Sequence, residues 1–349
     1  LSPDRSPGKM NTDRPIEIIG GGLAGLALAV NLRRAGVPVT LFEAGAYPRH
    51  RVCGEFITGL SPAARNRLRL DTFLDGAATN REVAWFARGQ FLRSQRLPED
   101  VPGLSRHVLD ARLAQAFVAA GGDLRTHARV KHTTDAAGRV FATGRRRAAS
   151  PWLGLKIHAL QLPLHGDLEL HLGDEAYLGL ARIEGGRVNI CGLFRRRALC
   201  AKGPDLLLGY LQAAGLGPLA ARLARVPLDV ASFTGVAALE FDRRAARAFE
   251  VRLGDACATI PPFTGHGMAM ALESAACAID PLIAYARGQR EWPETRRLIK
   301  ACLRRRFRVR LASAHLLHPF LLEPQRQRWF SLLSRARLLP LRTLYRALH

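Results

Sequence analysis

The residue types with the clearest chemical meaning lie early in the chain, where Gly20-x-Gly22-x-x-Gly25 follows an apolar run and precedes an Ala/Leu-rich stretch. Gly20 suits a sharp turn out of a strand, Gly22 lets backbone approach a pyrophosphate, and Gly25 lets a helix pack closely on a sheet. The start of that helix offers free N–H groups and the positive end of its dipole to phosphates. Glu43 closes the next β-rich run, Val37 to Glu43, where an acid hydrogen-bonds the adenosine ribose hydroxyls. Three titratable groups, Cys53, Glu55 and His266, occur in two further Gly-containing loops, Arg51-Val-Cys53-Gly54-Glu55 and Pro261-Pro262-Phe263-Thr264-Gly265-His266-Gly267-Met268. They are the candidates for proton transfer.

These residues require a strand, tight turn, helix and second strand over Ile16 to Glu43, the βαβ unit of a dinucleotide-binding domain. Ser61 as N-cap and Pro62 at the first helical position start a short helix to Leu70. Alternation over Arg81 to Leu97, with a turn at Gly89, predicts a sheet excursion. A helix follows over Leu104 to Phe117, stopped by Gly121-Gly122, and then a strand near Leu124 to Val130. Arg106 at the front of that helix is the better cofactor contact; Asp110 is expected to be solvated.

Trp152 to His158, Asp167 to Leu172, Tyr177 to Ile183 and Arg187 to Phe194 alternate like antiparallel strands, with a hairpin turn at Glu184 to Arg187. Pro204 to Val226 reads as helical and Val230 to Leu239 as strand. Phe249 to Leu253 leads into Gly254-Asp255, which sets a carboxylate at the carboxyl end of a sheet, and the Gly-rich turn to Met268 then opens a helix over Ala269 to Ala284. The apolar strand residues Trp152, Leu153, Leu155, Leu178, Leu180, Ile190 and Phe194 are expected to roof an apolar pocket or to serve as core. His158, His165 and His171 read as ordinary sheet residues.

The chain has 349 residues, 48% hydrophobic and 23% charged, enough for a sizeable core and two domains. Six cysteines are scattered without metal-ligand spacing, and no signal peptide is read, so no metal, no disulfide framework and a reducing cytoplasm are expected. The formal charge of +23 raises nucleic acid, an anionic membrane surface or an acidic partner. No nucleic-acid module is found. The Arg49/Arg51 pair binds phosphate or is loop charge, and Cys53 is either reactive or buried. Glu291 to His349 is helical and very basic, with Leu, Trp and Phe interleaved with Arg. It either lies on an anionic bilayer, peripheral to the inner face of the membrane, or packs on the nucleotide domain with Arg in solvent.

The Gly20/Gly22/Gly25 motif with Glu43, the helix from Arg106, and Gly254-Asp255 followed by Pro261-Pro262 and Gly265-x-Gly267 together resemble the FAD-binding flavoproteins of the p-hydroxybenzoate hydroxylase superfamily. The Cys53-Gly54-Glu55 loop resembles its geranylgeranyl-reductase-like branch. The resemblance covers about Pro15 to Ala284. It implies an α/β fold: a Rossmann-like FAD domain of glutathione-reductase type, an inserted mixed or antiparallel sheet domain for substrate, and a helical C-terminal tail. The expected divisions are a disordered leader (1–14), FAD domain (15–80, 102–150 and 245–290), substrate domain (81–101 and 151–244) and basic helical region (291–349).

By that resemblance Gly20, Gly22, Leu23, Ala24, Gly25, Glu43, Ala44 and Val130 hold the ADP half of FAD. Arg51, Cys53, Arg106, Gly254 and Asp255 follow along the cofactor, and Pro262, Gly265, Gly267 and Met268 lie by the flavin ring. The family's Asp-Gly fingerprint should fall at Ala142-Thr143-Gly144, but Thr143 replaces the acid, which sets NAD(P)H as direct electron donor in question. The flavin halogenase signature is absent. The reaction expected first is hydroxylation of an apolar aromatic or polyketide-like substrate, free or carrier-bound, through a flavin hydroperoxide. Alkene saturation of an isoprenoid or polyene lipid is the alternative, and a non-catalytic flavin-binding protein the third.

Overall fold

The computed structural model describes residues 13–130, 136–145, 150–237 and 249–335. In chain order the elements are β1 (Ile16–Ile19), α1 (Leu23–Arg34), β2 (Val39–Phe42), α2 (Pro62–Leu68), β3 (Ala78–Ala87), β4 (Gln90–Gly103), α3 (Arg106–Ala119), β5 (Asp123–Arg125) and β6 (Arg139–Phe141). Then come β7 (Trp152–Leu160), β8 (Leu168–Gly173), β9 (Ala176–Arg182), β10 (Arg187–Arg195), α4 (Asp205–Ala213), α5 (Gly217–Leu223), β11 (Leu228–Ala237), β12 (Val251–Arg252), α6 (Gly267–Ala286), α7 (Trp292–Leu322) and α8 (Pro324–Arg335).

Two sheets result. The first is parallel, ordered β12-β6-β1-β2-β5, with β1 at its centre. Helix α1 is buried along Leu23 to Leu32, as a helix covered on all sides should be. It stops where Gly36 adopts φ 85°, with Arg33 and Arg34 in the last turn, where cations suit the carbonyl end. Helices α1, α3, α6 and α7 share one core with this sheet, built on Leu26, Phe117, Leu272, Ile299 and Phe307.

The second sheet has seven strands in the order β11-β7-β10-β9-β8-β3-β4. Only β3 and β8 run parallel; the other neighbours are antiparallel, as a mixed sheet domain requires. Arg88 and Gly89 both take positive φ, 49° and 78°, the backbone of a type I′ hairpin turn between β3 and β4. Ser61 and Ser105 cap α2 and α3 by accepting from the amides of Ala64 and Val108 at 3.3 and 3.2 Å. The Ser105 amide and hydroxyl also donate to Glu184 at 2.8 and 2.6 Å, which ties the start of α3 to the second sheet.

Four expectations change. The strand read near Leu124 to Val130 covers only Asp123–Arg125, and the one read over Phe249 to Leu253 only Val251–Arg252. Leu239 and the 1–12 part of the leader lie outside the described residues. Cys277 on α6 and Cys302 on α7 form a disulfide across Cα atoms 6.0 Å apart, against the expectation of unpaired cysteines. Spacing could not reveal that pair, because only the packing of α7 on α6 brings the two together. Finally, the C-terminal helices serve both sheets: α7 packs Ile299, Leu303 and Phe307 into the first core, and Leu321 and Leu322 onto the second sheet.

Candidate active site

The three motif glycines do three different jobs. A Cβ on Gly20, at φ 109°, would come 2.3 Å from the Ala142 carbonyl oxygen, and one on Gly25 would come 2.0 Å from the Gly20 oxygen. Both positions are closed to side chains. Gly22 has nothing within 4 Å of the same position, and as N-cap of α1 it supplies no capping side chain. The start of a buried helix therefore faces open space, the cradle an anionic diphosphate fits. Leu23 and Ala24 bury their side chains in the core, so only their backbone is available to a ligand.

Glu43 ends up buried beside this turn. Its carboxylate accepts from the amides of Gly21 (2.8 Å) and Gly45 (2.9 Å) and from Arg49 (2.7 Å). Burial opposes its charge, yet the Gly45 amide and the Arg49 and Arg51 guanidiniums hold its carboxyl below the ordinary range. Tyr47 donates its hydroxyl to the Gly21 carbonyl at 2.5 Å. The amides of His127 and Ala128 donate to the Gly45 and Glu43 carbonyls at 3.1 and 2.9 Å, which brings the segment ending at Val130 alongside Ala44.

Asp110 is a correction. It is fully buried, not solvated, and Arg106 grips it through two contacts of 2.7 Å while Arg51 reaches it at 3.3 Å. One turn of helix separates Arg106 from Asp110, so the pair meets on one face. Arg51 spans from this carboxylate to Glu43 (3.6 Å) and the Gly21 carbonyl (3.5 Å). The loop arginine is thereby held beside the Gly21 turn, its charge shared between Asp110 and Glu43, while Arg49 pairs with Glu43.

The loop carrying Cys53 and Glu55 lies on the second sheet. Asn189 of β10 donates to the carbonyls of Cys53 (2.9 Å) and Gly54 (2.8 Å), and its own Oδ1 is buried with no partner among the described residues. Glu55, at φ 59° and fully buried, accepts from His158 Nε2 at 2.6 Å, Lys156 at 3.2 Å and the Arg106 amide at 3.0 Å. Lys156 continues to His50 Nδ1 at 3.1 Å, and His50 stacks on His107 with centroids 4.4 Å apart. Lys156 and His158 are themselves wholly buried, whereas His50 and His107 are partly exposed. A chain of polar contacts thus leads from the buried carboxylate to the surface.

The electrostatics sort these groups. Burial raises Glu55 but the His158 hydrogen bond and the Lys156 charge outweigh it, so the carboxylate is held ionised. Burial pushes the Cys53 thiol up despite Arg106, and Cys191 up to about 12. Cys53 is therefore a neutral S–H at neutral pH, which removes its thiolate reactivity. Burial and the Lys156 charge lower His50 to about 4, so it is neutral and able to accept or pass a proton.

The second Gly-rich loop meets the first. Gly265 has φ 71°, and a Cβ there would strike the Phe56 ring at 2.4 Å. Gly267 opens α6 with nothing within 4 Å, and α6 has no side-chain cap. His266 is buried at this helix start; Met268 buries its side chain in the core, and Pro262 is exposed. Gly254 sits against Ala24 at the start of α1, and Asp255 pairs with Arg145 at 3.2 Å. Thr143, where the acid was expected, is exposed.

The apolar roof is also corrected. Leu153, Leu155, Leu178, Leu180, Ile190 and Phe194 pack against α4 and α5, on the face away from both loops. The face toward the loops carries Leu170, Leu172, Tyr177 and Leu193 with Trp85, Trp152 and Phe263, closed by Leu321 and Leu322 of α7. Of the expected set only Trp152 is on it. Both faces of β7 to β10 are buried, so the sequence lacks the alternation that separates one from the other.

His158, Lys156 and Asn189 were missed as site residues. The available signal was a lysine and a histidine two apart inside an apolar strand, which places both on one face.

Residues 18–54 match the model of the NAD(P)-binding Rossmann-like domain. A menaquinone reductase of Mycolicibacterium smegmatis is 28% identical over 145 residues, 38% of this chain and 34% of that protein, so the match spans about a third of the relative's length. Among solved structures, p-nitrophenol 4-monooxygenase PnpA of Pseudomonas putida superposes with a TM-score of 0.73 at 14% identity, covering 96% of this chain and 97% of that one. Klebsiella pneumoniae HpxO, complexed with FAD and uric acid, gives 0.71 at 17% identity over 92% of each chain. Pseudomonas aeruginosa PqsL, with 2-aminobenzoylacetate, gives 0.70 at 17% over 90% and 98%. The chain has the two-sheet fold of these three solved structures.

Proposed function

We propose that the chain is an FAD-dependent monooxygenase that hydroxylates an apolar aromatic or polyketide-like substrate. The observation that carries this reading is the meeting of two uncapped helix starts, at Gly22 and Gly267, with a sheet face that is apolar at one end and ionised at the other. The fold shared with PnpA, HpxO and PqsL supports it.

When bound, the flavin supplies oxygen activation and transfer. The protein's own residues do the rest. Gly22, Leu23 and Ala24 offer backbone N–H groups, and Arg51 positive charge, to the diphosphate; Glu43 accepts from the ribose hydroxyls. Arg106 is neutralised by Asp110 and so orients Arg51 and the Cys53 loop instead of adding free charge. The start of α6 aims its dipole at the ring end. Leu170, Leu172, Tyr177, Leu193 and Trp85 hold the substrate and exclude water. Glu55, Lys156 and His50 carry a proton between the buried loop and solvent, with His50 Nδ1 facing Lys156 and the other ring nitrogen as the outer terminus.

A second reading, saturation of an alkene in a lipid, is favoured by one finding, the likeness to a menaquinone reductase. There Cys53, held as S–H, would be the proton donor. Thr143 at the expected acid position bears on the electron donor in both readings. Anaerobic titration of the purified protein with NADPH and NADH, followed by absorbance, tests the proposal. A flavin band that bleaches, with product oxygen derived from O2 on re-aeration, supports the monooxygenase. A band that bleaches only with another donor and turns over without O2 supports the reductase, and failure to hold FAD at all overturns both.

A further inference from the structure

We infer that the outer face of α7 and α8 docks the protein on an anionic lipid bilayer, and that substrate reaches the apolar sheet face past the same helix end. This deepens the flavoenzyme reading above and rests on it for the word substrate, though not for the docking.

The outer face is built at helical spacing. Val309, Ala312, Leu316 and Phe320 fall on one side of α7, and Leu316 and Val309 are 71% and 61% exposed. Arg305 and Arg308 lie on that same outward side and Arg304 beside it; no ion pair holds them among the described residues. Helix α8 adds Trp329, 66% exposed, and Leu332, 59% exposed, one turn apart, with Arg326 and Arg328 next to them. The two stripes are continuous, because the Arg326 guanidinium lies over the Phe320 ring at 5.5 Å. Gln327 anchors α8 by donating to the Gly173 and Leu321 carbonyls at 2.8 and 2.6 Å, so this face is set rigidly on the second sheet.

Large apolar side chains ringed by arginine fit the boundary between acyl chains and anionic headgroups. A second copy of the chain fits poorly: it would oppose the same arginines to one another, in a protein already at +23. The inner side of the same turns supplies the link to the site. Leu321 and Leu322 close the apolar sheet face, and the His318 ring stacks on Phe263 with centroids 5.9 Å apart. Phe320 and Leu321 are thus about 100° apart on one helical turn, Phe320 partly exposed on the outer side and Leu321 buried against the apolar sheet face. A lipid-soluble substrate would pass from membrane to site without crossing water.

The test uses the full chain loaded with FAD, pelleted with vesicles of phosphatidylcholine alone or with about one-third phosphatidylglycerol. The expected result is binding to the anionic vesicles only, weakened about tenfold by Leu316→Gln with Trp329→Gln and by Arg305→Gln with Arg308→Gln, with flavin absorbance unchanged. In the Leu316/Trp329 variant, turnover of a long-chain alkylphenol dissolved in the vesicles should fall about tenfold while turnover of phenol in buffer is retained. Protein that stays in the supernatant with anionic vesicles overturns the docking surface, as does a dimer in sedimentation velocity that Leu316→Gln dissociates. Vesicle binding without any effect on turnover of the embedded phenol overturns the access route. Vesicle binding by protein that never retains FAD leaves the surface standing and removes the flavoenzyme reading instead.

Discussion

Two buried ionic clusters sit on opposite faces of the same sheet, and they are built to different ends. Glu169 of β8 accepts from His171 (2.8 Å), from Arg222 of α5 (2.6 Å) and from the His165 amide (2.8 Å), and the His171 ring stacks on Phe86. Arg222 reaches in from α5, whose Leu219 and Leu223 belong to the core on this face. On the other face, Glu55 has as many donors, but its contacts run on through Lys156 to His50 at the surface, beside the loops that form the candidate site. Donor number alone does not mark function. Both clusters reach solvent, the Glu169 cluster through His165, 60% exposed and 3.3 Å away, but the Glu55 cluster does so next to open backbone, which equips it to move a proton.

The largest effect is expected at Glu169. Glu169→Ala leaves the quarter-exposed Arg222 and the buried His171 without their carboxylate, and unfolding in urea should register a loss of about 3 kcal/mol, with FAD content of the folded fraction unchanged. Its acid dependence gives a second reading of the same cluster. Burial opposes ionisation of Glu169, but the His171 and Arg222 hydrogen bonds bring it down to about 2, below its unfolded value. That stability is present above the unfolded value and is lost as pH falls toward 2, roughly 3 kcal/mol between about pH 5 and pH 2 in acid titrations of wild type that Glu169→Gln should flatten.

Glu55→Gln sharpens the contrast. It keeps the shape but leaves Lys156 without its carboxylate, so a stability loss of about 2 kcal/mol is expected together with a turnover loss of about a hundredfold, measured by denaturation and by steady-state kinetics on flavin-loaded protein. The smallest structural effect belongs to His50→Gln. Stability should stay within about 0.5 kcal/mol, while the pH profile of turnover changes shape because the outer terminus of the relay is gone. Equal behaviour of the Glu55 and Glu169 variants in kinetics would remove the distinction between the clusters.

What could be read from the sequence was local. The turn glycines, the cap at Ser61 and the hairpin at Gly89 each follow from residues within a few positions, and all are found where the residue types placed them. The misses are contacts between distant residues. His158 meets Glu55 across 103 positions, and Cys277 meets Cys302 only through helix packing. Of the two readings of the apolar strand residues, roof or core, the core one holds for all but Trp152, and the sequence did not separate them because a sheet buried on both sides carries no period-2 signal. Asp110 is the instructive exception: its arginine four residues earlier was in plain view, and the i, i+4 spacing could have shown it paired.

Helix α7 has a mechanical consequence. Its 31 residues, about 46 Å, brace the first sheet's core at one end and the second sheet at the other. A splint of that length leaves the two lobes little freedom to swing apart as rigid halves. Pro319 interrupts it one turn before the end, where the helix loses a donor and bends most readily. Beyond that point stand Phe320, Leu321 and Leu322. The helix is therefore a brace along its length, with Pro319 its weakest point and Gln327 pinning the turn beyond it to the Leu321 and Gly173 carbonyls.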